Sequence, residues 1–492
     1  MNKKKLPITI TSLIACLCSL FLMITAARAD EIDNLAESIM QQRNIPGMQL
    51  AVIKDGKIIK TASYGLANIQ DNIPVQNHSV FPINSMTKLF TGVAIVQLAE
   101  QGKLNFDDSI VTHLPELPKA WQAITIRQVL SHTSGLPNIL YGDTIQLIAD
   151  NQPEAAWQLV QTLPLQFPAN SQFSYNQTGY VILGKIIDKL AKKPFTDFIT
   201  EQQLQPANMA ISKAAGFGHL QSVIANQARQ YRYNRAGDLY VIQAAFAPYL
   251  RTAAGLNSTA QELAHYLIAL QQGKLFKQKE SLAALWQPTV LNNGKTAGFN
   301  RLENGYALGW QVIDRKHHPA ISASGGNANT LIIYPEDDLA IVVLTNLVGS
   351  LPIQFVDEIA GTFFPEMKAE NGWGYSLAIQ KLLQKLQKHG FEHAIASAKH
   401  LKNEEKLSFN VDEINAWGYH FVGKNQLTKA LEIFKLNVHL FPQVANCYDS
   451  LAETYAALGD KHAAIRNYKK VLTLAPNNRH AQHQLASLTL AN

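Results

Sequence analysis

Strand signals sit at the two ends of residues 30–365, and the long middle of that stretch lacks them. Met48–Ile53 and Lys57–Tyr64 read as a hairpin, with Asp55-Gly56 as its tight turn. Tyr306–Ile313, Thr330–Tyr334 and Leu339–Leu344 read as further strands, the last two joined by Pro335-Glu336-Asp337-Asp338. Between Leu104 and Leu250 the pattern is helical and rich in loops. An isolated hairpin is marginal in water, so the early pair has to be completed by the late strands. The expected fold class is therefore α+β: one antiparallel sheet with helices packed on it and a helical insertion between its halves.

From Tyr375 onward no strand signal remains, and one spacing dominates. Ala430, Phe434 and Pro442 recur as Ala464, Tyr468 and Pro476, each 34 residues later, and Trp417 and Leu451 keep the same shift. This order of small, aromatic and proline positions resembles the tetratricopeptide repeat. Such helical pairs bury their faces by stacking, which implies an all-α array over residues 376–492. Residues 366–375, with Gly372-Trp373-Gly374, read as a linker.

The first 29 residues have another character. Lys3-Lys4-Lys5 precedes a long apolar run that ends in Ala27-Arg28-Ala29, the form of a secretory signal with a small-x-small cleavage site. A lipoprotein-type site at Cys16 ranks second, because the apolar run continues well beyond it. Removing the signal takes away three Lys and one Arg and no acid, so the formal charge falls from +6 to +2. A nearly neutral chain gives no reason to expect nucleic acid or an anionic membrane as partner, and no membrane span is expected after cleavage. Cys447 would be the one cysteine left, which excludes an internal disulfide and a Cys-based metal site. Export without disulfides is compatible with a bacterial periplasm. No His/Asp/Glu cluster shows metal spacing and no phosphate-loop pattern occurs, so no metal and no cofactor are expected.

The chemistry centres on Ser85. A helix read from Ser85 to Gln101 places Lys88 one turn after Ser85 and on the same face. A desolvated lysine can take the proton that keeps a serine hydroxyl a poor nucleophile. Backbone N–H groups at the start of that helix suit a developing oxyanion. His132-Thr133-Ser134-Gly135, Tyr175-Asn176-Gln177, Ala253-Ala254-Gly255, Tyr306-Ala307-Leu308-Gly309-Trp310 and Ser324-Gly325-Gly326 follow in order.

This order and spacing resemble the serine β-lactamase and penicillin-binding-protein superfamily, in the branch of class C β-lactamases, D-alanyl carboxypeptidases and related esterases. The resemblance covers roughly residues 31–365. It implies a β-lactamase/transpeptidase-like domain and an acyl-enzyme formed at Ser85 from an ester, amide, peptide or lactam. It implies Lys88 as keeper of the proton network and Tyr175 as base and proton carrier. The N–H groups of Ser85 and Gly326 would cradle the oxyanion, and Gln177, Ser324 and Gly325 would contact the substrate. His132 is read as a structural loop residue. Two positions depart from the family pattern. Gln177 stands where an Asn is usual, and Ala323 stands where a Lys or His would bind a substrate carboxylate. The second departure points toward an uncharged ester or amide. It also sustains another reading, a weakly catalytic domain kept for binding, with the repeats holding a protein partner.

Overall fold

A computed structural model describes residues 30–141, 146–150, 152–218, 223–234, 237–242, 250–300, 302–368, 372–423 and 425–490. The signal expected at residues 1–29 lies outside them. Two compact units divide at Ala360/Gly361. No helix among the described residues is long and apolar enough to cross a membrane.

The first unit is built on an eight-stranded antiparallel sheet. Its strands are β1 (Gly47–Lys54), β2 (Lys57–Asn68), β3 (Ile73–Pro74), β4 (Gly305–Tyr306), β5 (Gln311–Ile313), β6 (Ala320–Gly325), β7 (Asn329–Tyr334) and β8 (Leu339–Thr345). Their order across the sheet is β3-β2-β1-β8-β7-β6-β5-β4. The early hairpin meets the late strands where β1 pairs with β8, Leu50 opposite Val343 and Val52 opposite Ile341. The central strands are unbroken apolar runs because both faces are covered. Ala51, Ile53, Val342 and Leu344 belong to the main core, and Leu50, Val52, Ile341 and Val343 are as fully buried on the other face. Two strands differ from expectation. The stretch Tyr306–Ile313 is not one strand but β4, a tight turn with Gly309 at φ +88°, and β5. β6, which alternation alone does not single out, pairs with β5 only through Ala320–Ser322. Its last residues, Ala323–Gly325, are bonded to β7 on one side and have no strand partner on the other among the described residues.

Helix α1 (30–43) precedes the sheet, and α2 (Thr87–Glu100) runs through the core. The apolar character of α2 continues round its circumference, as its near-complete burial demands. Gly92 is required there, since a Cβ would fall 2.1 Å from the Leu308 carbonyl oxygen. α3 (Thr178–Ala191) packs on α2, and α4 (Ala260–Gln271) packs on β1 and β8.

The second unit is helical throughout its described elements, with Val411–Gly423 against Leu427–Leu440 and Ala445–Ala457 against Lys461–Leu474. Three of the pairs that recur at 34 residues are buried, Trp417 with Leu451, Ala430 with Ala464, and Phe434 with Tyr468, whereas Pro442 and Pro476 are exposed. Folding also gathers one group that linear spacing had hidden. Asp449 and Glu453, one turn apart, meet His480 with ligand atoms within 4.8 Å of one another. Both imidazole nitrogens already face carboxylates, Nδ1 at 3.1 Å from Asp449 and Nε2 at 3.5 Å from Glu453.

Candidate active site

Ser85 lies on a single 3₁₀ turn, Asn84–Met86, that feeds directly into α2. The turn is shaped by Asn84 at φ +52°, a left-handed conformation that costs free energy away from glycine. Such strain persists only where the surroundings enforce it. Here the Asn84 side-chain amide donates to the Pro82 carbonyl, 3.2 Å away. The end of β6 closes on the same turn. A Cβ on Gly325 would come within 2.0 Å of the Ile83 carbonyl oxygen and 3.1 Å of the Met86 nitrogen. Gly326, at φ +61°, lies against the Asn84 amide. The two glycines read from the sequence as substrate-binding are therefore also what lets the strand approach the Ser85 turn. Gly325→Ala is expected to destabilise the fold by about 1–3 kcal/mol, the usual cost of overpacking, and to push Ser85 away from the strand. Thermal melting and ester turnover measure both, and an unchanged melting temperature with normal turnover would contradict the packing described.

Lys88 is buried, and its Nζ lies 3.4 Å from Ser85 Oγ and 2.9 Å from the Ala253 carbonyl oxygen. The Tyr175 and Tyr180 rings flank it at 4.8 and 5.1 Å. No described carboxylate pairs with it, and burial holds its pKa well below the ordinary lysine value. The amine is thus favoured in its neutral form, able to accept a proton. Tyr175 moves the other way. Burial pushes its phenol up to about 12, against hydrogen bonds from Ser85 and Gln177 that pull it down. Near neutral pH Tyr175 is a phenol, which can relay or donate a proton but is not standing as a phenolate.

The sequence-derived residues assemble unequally. Ser85, Tyr175, Ser324, Gly325 and Gly326 line one cleft of about 490 Å³. Lys88 lies behind Ser85, and Gln177 reaches the cleft through its bond to Tyr175. Neither the Ser85 nor the Gly326 backbone N–H finds a protein acceptor among the described residues, as a pair held ready for an oxyanion requires. Ser324 Oγ is bonded to Thr330 Oγ1 at 3.0 Å. Ala323 is buried opposite Leu331, and His318, a nearby base in the sequence, is engaged by Asp337 at 2.8 Å. His132 holds the site together rather than facing it. Its Nδ1 accepts the Asn176 backbone N–H at 3.1 Å, and its ring packs among Tyr175, Tyr180 and Tyr306. Sequence reasoning missed Phe299, Asn300, Glu303 and Gln311, which line the cleft together with Leu302, Asn327, Leu351, Ile353 and Gln354. They come from loops, short turns and one short strand with no motif to mark them.

Comparison with known proteins agrees with this architecture. Residues 32–361 match the beta-lactamase family, and the chain belongs to that family of serine-hydrolase-type domains. Protein flp of Staphylococcus aureus strain MW2 is 27% identical over 329 residues, 66% of this chain and 64% of that protein. Penicillin-binding protein 4* of Bacillus subtilis strain 168 is 29% identical over 331 residues, 64% of this chain and 71% of that one. Among solved structures, EstCE1, a hydrolase with promiscuous acyltransferase activity, superposes with a TM-score of 0.57 at 21% identity, covering 69% of this chain and 99% of that one. The match thus spans just under two thirds of the curated flp relatives, and the structural likeness is one of fold.

Proposed function

We propose that the chain is an exported serine hydrolase that cleaves an uncharged ester or amide through an acyl-enzyme at Ser85. The observation that carries this reading is Lys88, buried with no carboxylate partner among the described residues and with Nζ 3.4 Å from Ser85 Oγ behind the cleft. In this scheme Ser85 Oγ attacks the carbonyl carbon while its proton passes to the Lys88 amine. The oxyanion is held by the N–H groups of Ser85 and Gly326. Collapse of the tetrahedral species breaks the bond to the leaving group, which receives the proton through the Tyr175 hydroxyl. Water then attacks the acyl carbonyl, gives its proton back through the same groups and frees Ser85. Tyr175, a phenol near neutral pH, is the relay in this version and Lys88 the base. Gln177, which bonds Tyr175, orients it. The free edge at Ala323–Gly325 offers backbone groups to a substrate, and Ala323 supplies no cation for a substrate carboxylate.

In the same reading residues 1–29 direct export to a bacterial periplasm, and residues 30–365 form the hydrolase domain. Residues 366–375 link it to tetratricopeptide-like repeats at 376–492 that hold a protein partner. The test is a panel of p-nitrophenyl esters, a D-Ala-D-Ala peptide and a cephalosporin. The neutral esters should be turned over fastest, and Tyr175→Phe should cut that turnover at least about a hundredfold. Faster turnover of the D-Ala-D-Ala peptide than of any ester would overturn the substrate class. Near-normal rates in Tyr175→Phe would remove Tyr175 from the scheme.

A further inference from the structure

The cleft holding Ser85 contains one charged side chain among its described lining residues, and it is an acid. Glu303 is 5% exposed. Asn300 fixes it, accepting the Leu302 and Glu303 backbone N–H groups on its Oδ1 and donating from Nδ2 to Glu303 Oε2 at 2.9 Å. The other oxygen, Oε1, is buried and has no hydrogen-bond partner among the described residues. A carboxyl oxygen in that state forfeits the bonds it would make in water, and a donor arriving with the ligand recovers them. Burial raises the Glu303 pKa, against the Asn300 hydrogen bond that lowers it, and an arriving cation would favour the ionised form. On the strand side, Ala323 is buried opposite Leu331 and offers no charge. The described lining of the cleft therefore carries a buried acid and no basic side chain, the reverse of a carboxylate-binding site.

We propose that Glu303 determines specificity by receiving a protonated amine of the substrate, so that the preferred acyl donors are amino-bearing esters or amides. This rests on the Ser85 acyl-enzyme reading and names its substrate class. A buried acid without a protein cation attracts an ammonium and repels a carboxylate, and both effects are strongest where water is excluded. An ammonium placed on Oε1 forms a charge-assisted bond, which is worth roughly a ten- to hundredfold preference.

The experiment compares three p-nitrophenyl esters of equal chain length: the ω-aminohexanoate, the heptanoate and the hydrogen pimelate. In the wild type, kcat/KM for the amino ester should exceed that of the heptanoate by about tenfold or more, with the pimelate slowest. In Glu303→Gln the amino-to-heptanoate ratio should fall toward one. A ratio unchanged in Glu303→Gln overturns the assignment. Arg301 lies beyond the described residues, so Arg301→Ala is a further arm, and loss of the preference there but not in Glu303→Gln would also overturn it. A measurement on the wild type alone guards against a variant that fails to fold. Hexylammonium should inhibit heptanoate hydrolysis at about a tenth of the hexanoate concentration needed, and equal or stronger inhibition by hexanoate contradicts the proposal. The two readings fail separately. Heptanoate hydrolysis that survives Ser85→Ala removes the acyl-enzyme, whereas hydrolysis lost in Ser85→Ala with no amine preference removes this inference only.

Discussion

Lys88→Met is expected to lower ester turnover at least about a hundredfold while leaving the fold as stable as before or more so. The rate loss follows from removing the one described group that can take the Ser85 proton at 3.4 Å, a role usually worth two to four orders of magnitude. The stability effect follows from the environment. The amine is buried, its firm bond is to the Ala253 carbonyl, and burial drives its pKa well below 10.5. Methionine keeps the length and apolar stem and removes the amine that had to be desolvated. The sign of the pH dependence is fixed by the same shift. Between the lowered folded value and 10.5, the unfolded lysine binds a proton that the folded one does not. Wild-type stability therefore rises with pH through that window, and Lys88→Met should remove that slope. Activity in the wild type should fall on the acid side as Lys88 becomes protonated. Steady-state hydrolysis and thermal melts over a pH series check each part. Turnover within about fivefold of wild type would rule Lys88 out as the base.

Ser85→Ala should lose at least about a thousandfold in turnover, with what remains coming from binding and the oxyanion cradle. Because Ser85 is only partly buried and its side chain fills no packed cavity, the melting temperature should stay close to wild type. The combination matters. A loss of rate with the fold intact points to chemistry, whereas a loss of both would point to the strained turn at Asn84. The initial burst of nitrophenol that an acyl-enzyme produces should disappear as well.

Some of this could be read from residues alone, for identifiable reasons. The β1–β2 hairpin was legible because Asp55-Gly56 separates two strand-forming stretches, and the helical array because its repeating small and aromatic positions are buried. Ser85 and Lys88 were legible because helical spacing is local. The burial of Lys88 was not. It depends on Tyr175, Tyr180 and Ala253, brought from distant parts of the chain. The division of Tyr306–Ile313 into two strands turns on Gly309, whose tight approach to the Lys88 backbone exists only in three dimensions. Glu303 was invisible for the opposite reason. In the sequence Asn300-Arg301-Leu302-Glu303-Asn304 an acid looks solvated, and its burial and its place beside the cleft exist only in the folded chain.

The most direct measurement is intact mass spectrometry after treatment with a fluorophosphonate, followed by peptide mapping. A nucleophilic Ser85 should gain one phosphonyl group per chain, located on the peptide containing Ser85 and absent from Ser85→Ala. Equal labelling of Ser85→Ala, or no adduct on a folded wild-type protein, would contradict the acyl-enzyme account.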